Sequence, residues 1–228
     1  MTNADFYASC TCIFYIATFI VIMIYRDRTE AGRHLAARLA GYKASRCLVL
    51  GLPNGGIPVG IEIARELESE FDLLFVSKIT PRFNSEIGYG AVSESGAVTL
   101  NQDLIMRLGI RRDEVDEDVR NTKRKIEFRI RNFRLVGGRR EIKGKTVILT
   151  DDGIASGYTM ISAVETVRER GAREVVVAVP TAPLSSYNAI SSLVTEIVCP
   201  DVRDVLRFAV ADAYENWYDI DLNGAIEF

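Results

Sequence analysis

Histidine and cysteine are both scarce in this sequence, and each scarcity closes a class of function. The one histidine, His34, has nothing nearby with which to form a triad, sits in an amphipathic pattern, and reads as structural. Four unevenly spaced cysteines (Cys10, Cys12, Cys47, Cys199) form no pattern of two close pairs with histidines, which excludes a zinc ribbon or finger and points to a reducing cytosol. Cys10 and Cys12 lie in an apolar run and read as small buried hydrophobes. There is no large excess of either charge, 28 basic against 31 acidic residues, so nothing global marks a nucleic-acid binder. A Gly-Lys-Ser/Thr phosphate loop and a Gly-x-Gly-x-x-Gly turn opening a helix are both missing, which excludes the commonest nucleotide folds. What remains, at 228 residues with 48% apolar composition, is one good-sized core with small additions.

Long apolar runs are also absent, with one exception. From Phe6 to Tyr25 there is no charged residue, a stretch long enough to span a bilayer, for which about 20 residues suffice. Arg26, Arg28 and Arg33 follow it, so a span would leave the main domain in the cytoplasm. The other reading is a translation start at Met23, with residues 1–22 not made. Either way the division is an apolar segment, 1–24, and a cytoplasmic domain, 25–228.

Along that domain, Thr29–Leu39 has the 3.6-residue period of a helix, with Thr29 as N-cap. Cys47–Leu50 reads as a buried strand, Gly51–Gly56 as a glycine loop and Ile57–Leu67 as a helix. A second strand is predicted at Leu73–Val76, a hairpin at Ala91–Leu100 and a helix at Asp113–Phe133. Thr146–Thr150 is again a continuous apolar strand, followed by a glycine-bearing turn and a helix, Thr159–Arg170, closed by Gly171. Strand Val175–Val179, helix Ser185–Leu193 and strand Glu196–Cys199 complete the series. Apolar strands alternating with helices predict an α/β fold, an open and mainly parallel sheet covered on both faces, whose ligands gather at the carboxyl ends of the strands.

Both glycine-bearing turns fall at such ends. The more informative is Asp151-Asp152-Gly153-Ile154-Ala155-Ser156-Gly157-Tyr158-Thr159. Backbone N–H groups at a helix start, with Gly153 and Gly157 allowing close approach and Ser156 and Thr159 adding hydroxyls, suit a phosphate. Two adjacent carboxylates upstream can accept hydrogen bonds from vicinal hydroxyls, which is what a ribose offers. Asp-Asp-Gly alone is also compatible with a simple turn cap.

The segment Val147–Met160 as a whole resembles the signature of type I phosphoribosyltransferases: apolar strand, two acids, hydroxyl-Gly and a helix-opening Thr. The resemblance runs from about Tyr25 to Tyr218. It implies that 5-phosphoribosyl-1-pyrophosphate is bound, with Gly153 to Thr159 on the 5′-phosphate and Asp151 and Asp152 on the ribose and, through water, on Mg²⁺. The loop Pro53-Asn54-Gly55-Gly56 then holds the pyrophosphate through backbone amides, often in a strained peptide. Asn54 departs from the family pattern, in which a basic residue is frequent; the missing charge calls for another supplier, for which Lys78 is the candidate. The resemblance further implies a lid over Ile79–Gly96 and a hood in which Phe208, Tyr214 or Trp217 stacks on an acceptor base, itself unidentified. The expected activity is a Mg²⁺-dependent phosphoribosyl transfer to a nitrogenous base, in the cytoplasm, in a monomer or homodimer. A non-catalytic regulator that senses the same donor is the rival reading.

Between Arg120 and Lys145 eleven basic residues stand against Glu127 and Glu141. This stretch reads as a solvated helix face; RNA or an acidic partner is the functional alternative.

Overall fold

The computed structural model of the chain describes residues 23–43, 45–84, 87–133, 140–205 and 207–220. In chain order the elements begin with α1 (Arg28–Arg38), β1 (Cys47–Gly51), α2 (Gly56–Leu67), β2 (Glu70–Leu73), β3 (Val76–Ile79), β4 (Gly90–Ser93) and β5 (Val98–Leu100). They continue with α3 (Gln102–Leu108), α4 (Arg112–Phe133), β6 (Thr146–Thr150), α5 (Tyr158–Glu169) and β7 (Glu174–Ala178). The last are β8 (Thr181–Pro183), α6 (Leu184–Ser191), β9 (Glu196–Val198) and β10 (Asp201–Arg203).

Five strands form a wholly parallel sheet in the order β2-β1-β6-β7-β9. Its central strands are apolar at nearly every position because both faces are covered, and alternate side chains go to opposite layers. Leu48, Leu50, Val147, Leu149, Val175 and Val177 pack against α5 and α6 residues such as Met160, Val164, Val167 and Ile190. Val49, Ile148, Val176 and Ala178 pack on the other side against α1 and α2, through Leu35, Leu39, Val59, Ile63 and Leu67. The predicted fold class is the one observed.

Chain order decides where a ligand can enter. From β1 the chain crosses through α2 to β2 at one edge, and from β6 it crosses through α5 to β7 in the other direction. The loops leaving β1 and β6 therefore diverge from neighbouring strands, which opens a crevice at their carboxyl ends.

Four local expectations need correction. Asp27, not Thr29, caps α1: its carboxylate accepts the Glu30 N–H at 2.8 Å. The single strand expected at Leu73–Val76 is two: β2 ends at Leu73, and the chain then leaves the main sheet for a separate antiparallel sheet, β3-β4-β5. Short apolar runs do not reveal a change of sheet. A separate helix, α3, precedes α4, divided from it by Gly109 at φ +64°. The lid expected over Ile79–Gly96 is not one loop, because β4 is buried throughout and Tyr89, fully buried, donates its hydroxyl to Asp118 at 2.9 Å.

The first described residues and the segment around Tyr214 close the domain together. Tyr25 is buried; its N–H is donated to the Ala213 carbonyl at 2.8 Å, and its carbonyl accepts the Glu215 N–H at 2.8 Å. The apolar run beginning at Phe6 thus reaches into the folded domain at its last residue. The rest of that run up to residue 22, Cys10 and Cys12 included, lies outside the described residues, among which no helix is long and apolar enough to cross a membrane. Cys47 and Cys199 are free thiols.

Candidate active site

The loops after β1 and β6 touch across the crevice. A Cβ on Gly55 would lie 2.1 Å from Asp152 Oδ2, and one on Gly56 would lie 2.6 Å from the Thr150 carbonyl. Glycine is required at both places for contact rather than for an unusual backbone angle. The Leu52 N–H, donated to the Thr150 carbonyl at 2.9 Å, continues the pairing of β1 and β6 into the loop. The Pro53–Asn54 peptide is cis.

The two acids are held differently. Asp151 Oδ1 accepts the Asp152 N–H at 2.9 Å, and Asp151 lines a cavity of about 200 Å³ together with Lys78, Ser156 and Thr159. Asp152 turns away from that cavity. Its Oδ2 accepts from Arg28 Nε at 2.8 Å, and its carbonyl accepts the Tyr214 hydroxyl at 2.6 Å. Arg28 is buried, donates Nη1 to the Tyr218 carbonyl at 2.9 Å and lies 4.1 Å from the centre of the Trp217 ring. Burial and the adjacent Asp152 charge push the Asp151 carboxyl above its usual range. Burial also raises Asp152, against the opposing pull of Arg28.

Past the acids, the loop is shaped by anchors on its far side. The Ile154 N–H goes to the Thr181 carbonyl at 2.9 Å, and the Ser186 hydroxyl is donated to the Ala155 carbonyl at 2.6 Å. Gly153 packs so closely that a Cβ would meet Val210 at 2.6 Å. Gly157 takes φ +83°, a conformation that suits glycine, and α5 begins at Tyr158 with no side-chain cap. The first-turn N–H groups of α5 therefore face the cavity without a side-chain acceptor, beside Ser156 and Thr159.

The predicted residues are thus brought together, with differences of role. Asp151, Gly153, Ala155, Ser156, Gly157 and Thr159 line the cavity; so does Ile154, although its N–H is engaged elsewhere and its side chain is in the core. Tyr158, Asp152 and the four loop residues Pro53, Asn54, Gly55 and Gly56 stand outside the lining, the loop touching Asp152 and Thr150 instead. Lys78 comes to the cavity on the side of Ser156. At Asn54 the cation is a different one: Arg129 of α4 donates Nη2 to Asn54 Oδ1 at 2.9 Å. Tyr214 is 7% exposed and packed between Tyr25 and Trp217, Phe208 is half-buried near Arg203, and Trp217 remains 38% exposed. Sequence reasoning missed Arg28 and Arg129, since nothing local distinguishes either from its arginine neighbours.

An ion such as Mg²⁺ is bound by one or two carboxylates, substrate phosphates and retained waters. Asp151, whose carboxylate lines the cavity and has no basic ion-pair partner among the described residues, fits that donor set. No group of three or more candidate ligands occurs among the described residues.

The family model of the phosphoribosyl transferase domain matches residues 93–214. Two strains of Mycobacterium tuberculosis carry relatives named "Putative phosphoribosyl transferase", 37% identical over 196 residues, or 85% of this chain and 44% of theirs. The chain thus spans less than half the length of these curated relatives. An amidophosphoribosyltransferase of Pyrococcus horikoshii is 31% identical over 55% of this chain and 26% of its own. Among solved structures, the protein TT1426 from Thermus thermophilus superposes with a TM-score of 0.74 at 31% identity, over 90% of this chain and 97% of that one.

Proposed function

The chain belongs to the phosphoribosyl transferase domain family, and we propose that it transfers the 5-phosphoribosyl group from 5-phosphoribosyl-1-pyrophosphate to a nitrogenous base, releasing pyrophosphate. The observation that carries this reading is the contact of two loops at one crevice. A phosphate nest at the start of α5 and a glycine loop after β1 lie on either side of Asp151 and Asp152. One ligand with a phosphate at each end and a sugar between them suits that arrangement.

In this reading the first-turn amides of α5, with Ser156 and Thr159, hold the 5′-phosphate at the positive end of the helix dipole. Asp151 accepts hydrogen bonds from the ribose hydroxyls, and the amides of the 53–56 loop hold the pyrophosphate. A base nitrogen attacks C1′ as the C1′–O bond breaks; the electron pair leaves with pyrophosphate and the base nitrogen gives up its proton to solvent. Positive charge gathers on the ribose in the transition state, and the fixed charge of Asp151 offsets it without reorganisation. Magnesium, which Asp151 would hold, would supply charge neutralisation for the pyrophosphate. Holding donor and acceptor together supplies the remaining advantage. Trp217, the most exposed of the three hood aromatics, offers the stacking surface, and the free thiols suit a cytoplasmic protein.

Calorimetric titration with the donor, with and without Mg²⁺, tests the reading. Magnesium-dependent binding that Asp151→Asn abolishes is expected, followed by pyrophosphate release with one member of a panel of bases. A well-folded chain that does not bind the donor would end the proposal.

A further inference from the structure

In this site the loop after β1 presents an amide, Asn54, where a basic side chain would meet the pyrophosphate. Both ends of that amide are already engaged. Oδ1 accepts from Arg129 at 2.9 Å, and Nδ2 is donated to the Ile220 carbonyl at 2.7 Å. The amide is thus committed to protein partners at both atoms, and its effect is to fix a guanidinium beside the loop.

Arg129 is an unusual arginine. It is half-buried, and burial weakens its hold on its proton, opposed by the charge of Asp151. Among the described residues no carboxylate lies within ion-pairing distance of it, whereas Arg28, Arg33, Arg82, Arg170 and Arg203 are each paired. A half-buried cation without a counter-ion is costly unless an anion arrives. Of the five N–H donors of a guanidinium, the bond to Asn54 uses one, so a fork remains for a phosphate. The neighbouring surface is basic as well: Arg124 and Lys125 share with Arg129 an open cavity of about 450 Å³.

We infer that Arg129, positioned by Asn54, is the pyrophosphate-binding cation of this chain, delivered from α4 in place of a basic residue in the loop itself. The inference rests on the function proposed above and names the residue that completes its pyrophosphate end. It assigns separate tasks to the two cations at the site. Lys78 stands beside Ser156, at the 5′-phosphate end, and Arg129 beside Asn54. An arginine or lysine at position 54 would face Arg129 with like charge, which accounts for an amide there.

The test uses the full chain, its Arg129→Gln variant, and Arg129→Gln combined with Asn54→Arg. Each is titrated with Mg²⁺ and inorganic pyrophosphate, and separately with ribose 5-phosphate. Arg129→Gln is expected to weaken pyrophosphate binding about 10- to 100-fold, the range of a charged hydrogen bond, and to leave ribose 5-phosphate binding unchanged. The double variant is expected to recover part of the loss. Unchanged pyrophosphate affinity in Arg129→Gln would overturn the assignment while the proposed function stood. So would an equal loss for both ligands, which would make Arg129 a structural residue. A parent chain that binds neither ligand would remove the proposed function and this inference together.

Discussion

Arg28 Nε lies 2.8 Å from Asp152 Oδ2, joining the first turn of α1 to the acidic turn after β6 across most of the chain's length. The pair divides two adjacent acids into one that is neutralised within the protein and one that lines the cavity without a basic ion-pair partner among the described residues. Arg28 is 5% exposed, so neither partner can be removed without leaving the other charge poorly solvated.

Arg28→Gln is therefore expected to cost about 3 kcal/mol in stability, the scale for breaking a buried pair from one side. Adding Asp152→Asn should return part of that loss. Urea unfolding of the two single variants and the double variant measures the coupling; strict additivity would mean that the pair is not linked.

Asp151 should behave in the opposite sense. Its raised pKa means that the folded chain holds this proton more tightly than the unfolded chain does. The contribution of this group to stability is then fully present below the unfolded carboxylate value of about 4 and is lost as pH rises through the higher folded value. Asp151→Asn removes that slope, so at pH 7 the variant is expected to be more stable than the parent while losing donor binding. Unfolding midpoints compared at pH 4 and pH 7 check the sign, and a gap that does not widen toward pH 7 contradicts it.

Gly55→Ala places a methyl group within 2.1 Å of a carboxylate that Arg28 holds in place. One of the two loops must then move, at a cost of about 1–3 kcal/mol and with weaker donor binding. Gly41→Ala, with nothing within 4 Å of the new Cβ, is the control and should be near neutral. Thermal unfolding of the two variants side by side distinguishes close packing from a general intolerance of glycine replacement.

Tyr214 and Trp217, the aromatics proposed near the acceptor base, can be separated in the same way. Tyr214→Phe removes the hydroxyl donated to the Asp152 carbonyl and should cost about 1 kcal/mol, leaving the KM for the acceptor base unchanged. Trp217→Ala, at the more exposed ring, should raise that KM. The reverse pattern would move the base toward Tyr214.

The elements of the main sheet were readable because they follow local rules. Thr146–Thr150 is an unbroken apolar strand ending at two acids, and its neighbours repeat the alternation of strand and helix. The acidic turn and the glycine loop were readable for the same reason, each being a short contiguous motif at a strand end. Their spatial proximity followed only from strand order.

The remaining features depended on contacts between distant segments. A change of sheet at Leu73 leaves no mark on a run of apolar residues, and the packing of Tyr25 against Ala213 and Tyr214 joins segments nearly 190 residues apart. For Asn54 the family resemblance implies a missing charge, for which Lys78 is the candidate supplier; that Arg129 bonds Asn54 depends on where α4 packs.

By itself, then, the amino-acid order determined the layers of the fold and the place of two motif-bearing loops, because periodicity and short motifs act over a few residues. Only the tertiary structure decided which charges serve those loops. Electrostatic pairing depends on distance in space, and α1 and α4 bring Arg28 to Asp152 and Arg129 to Asn54 from positions remote in sequence.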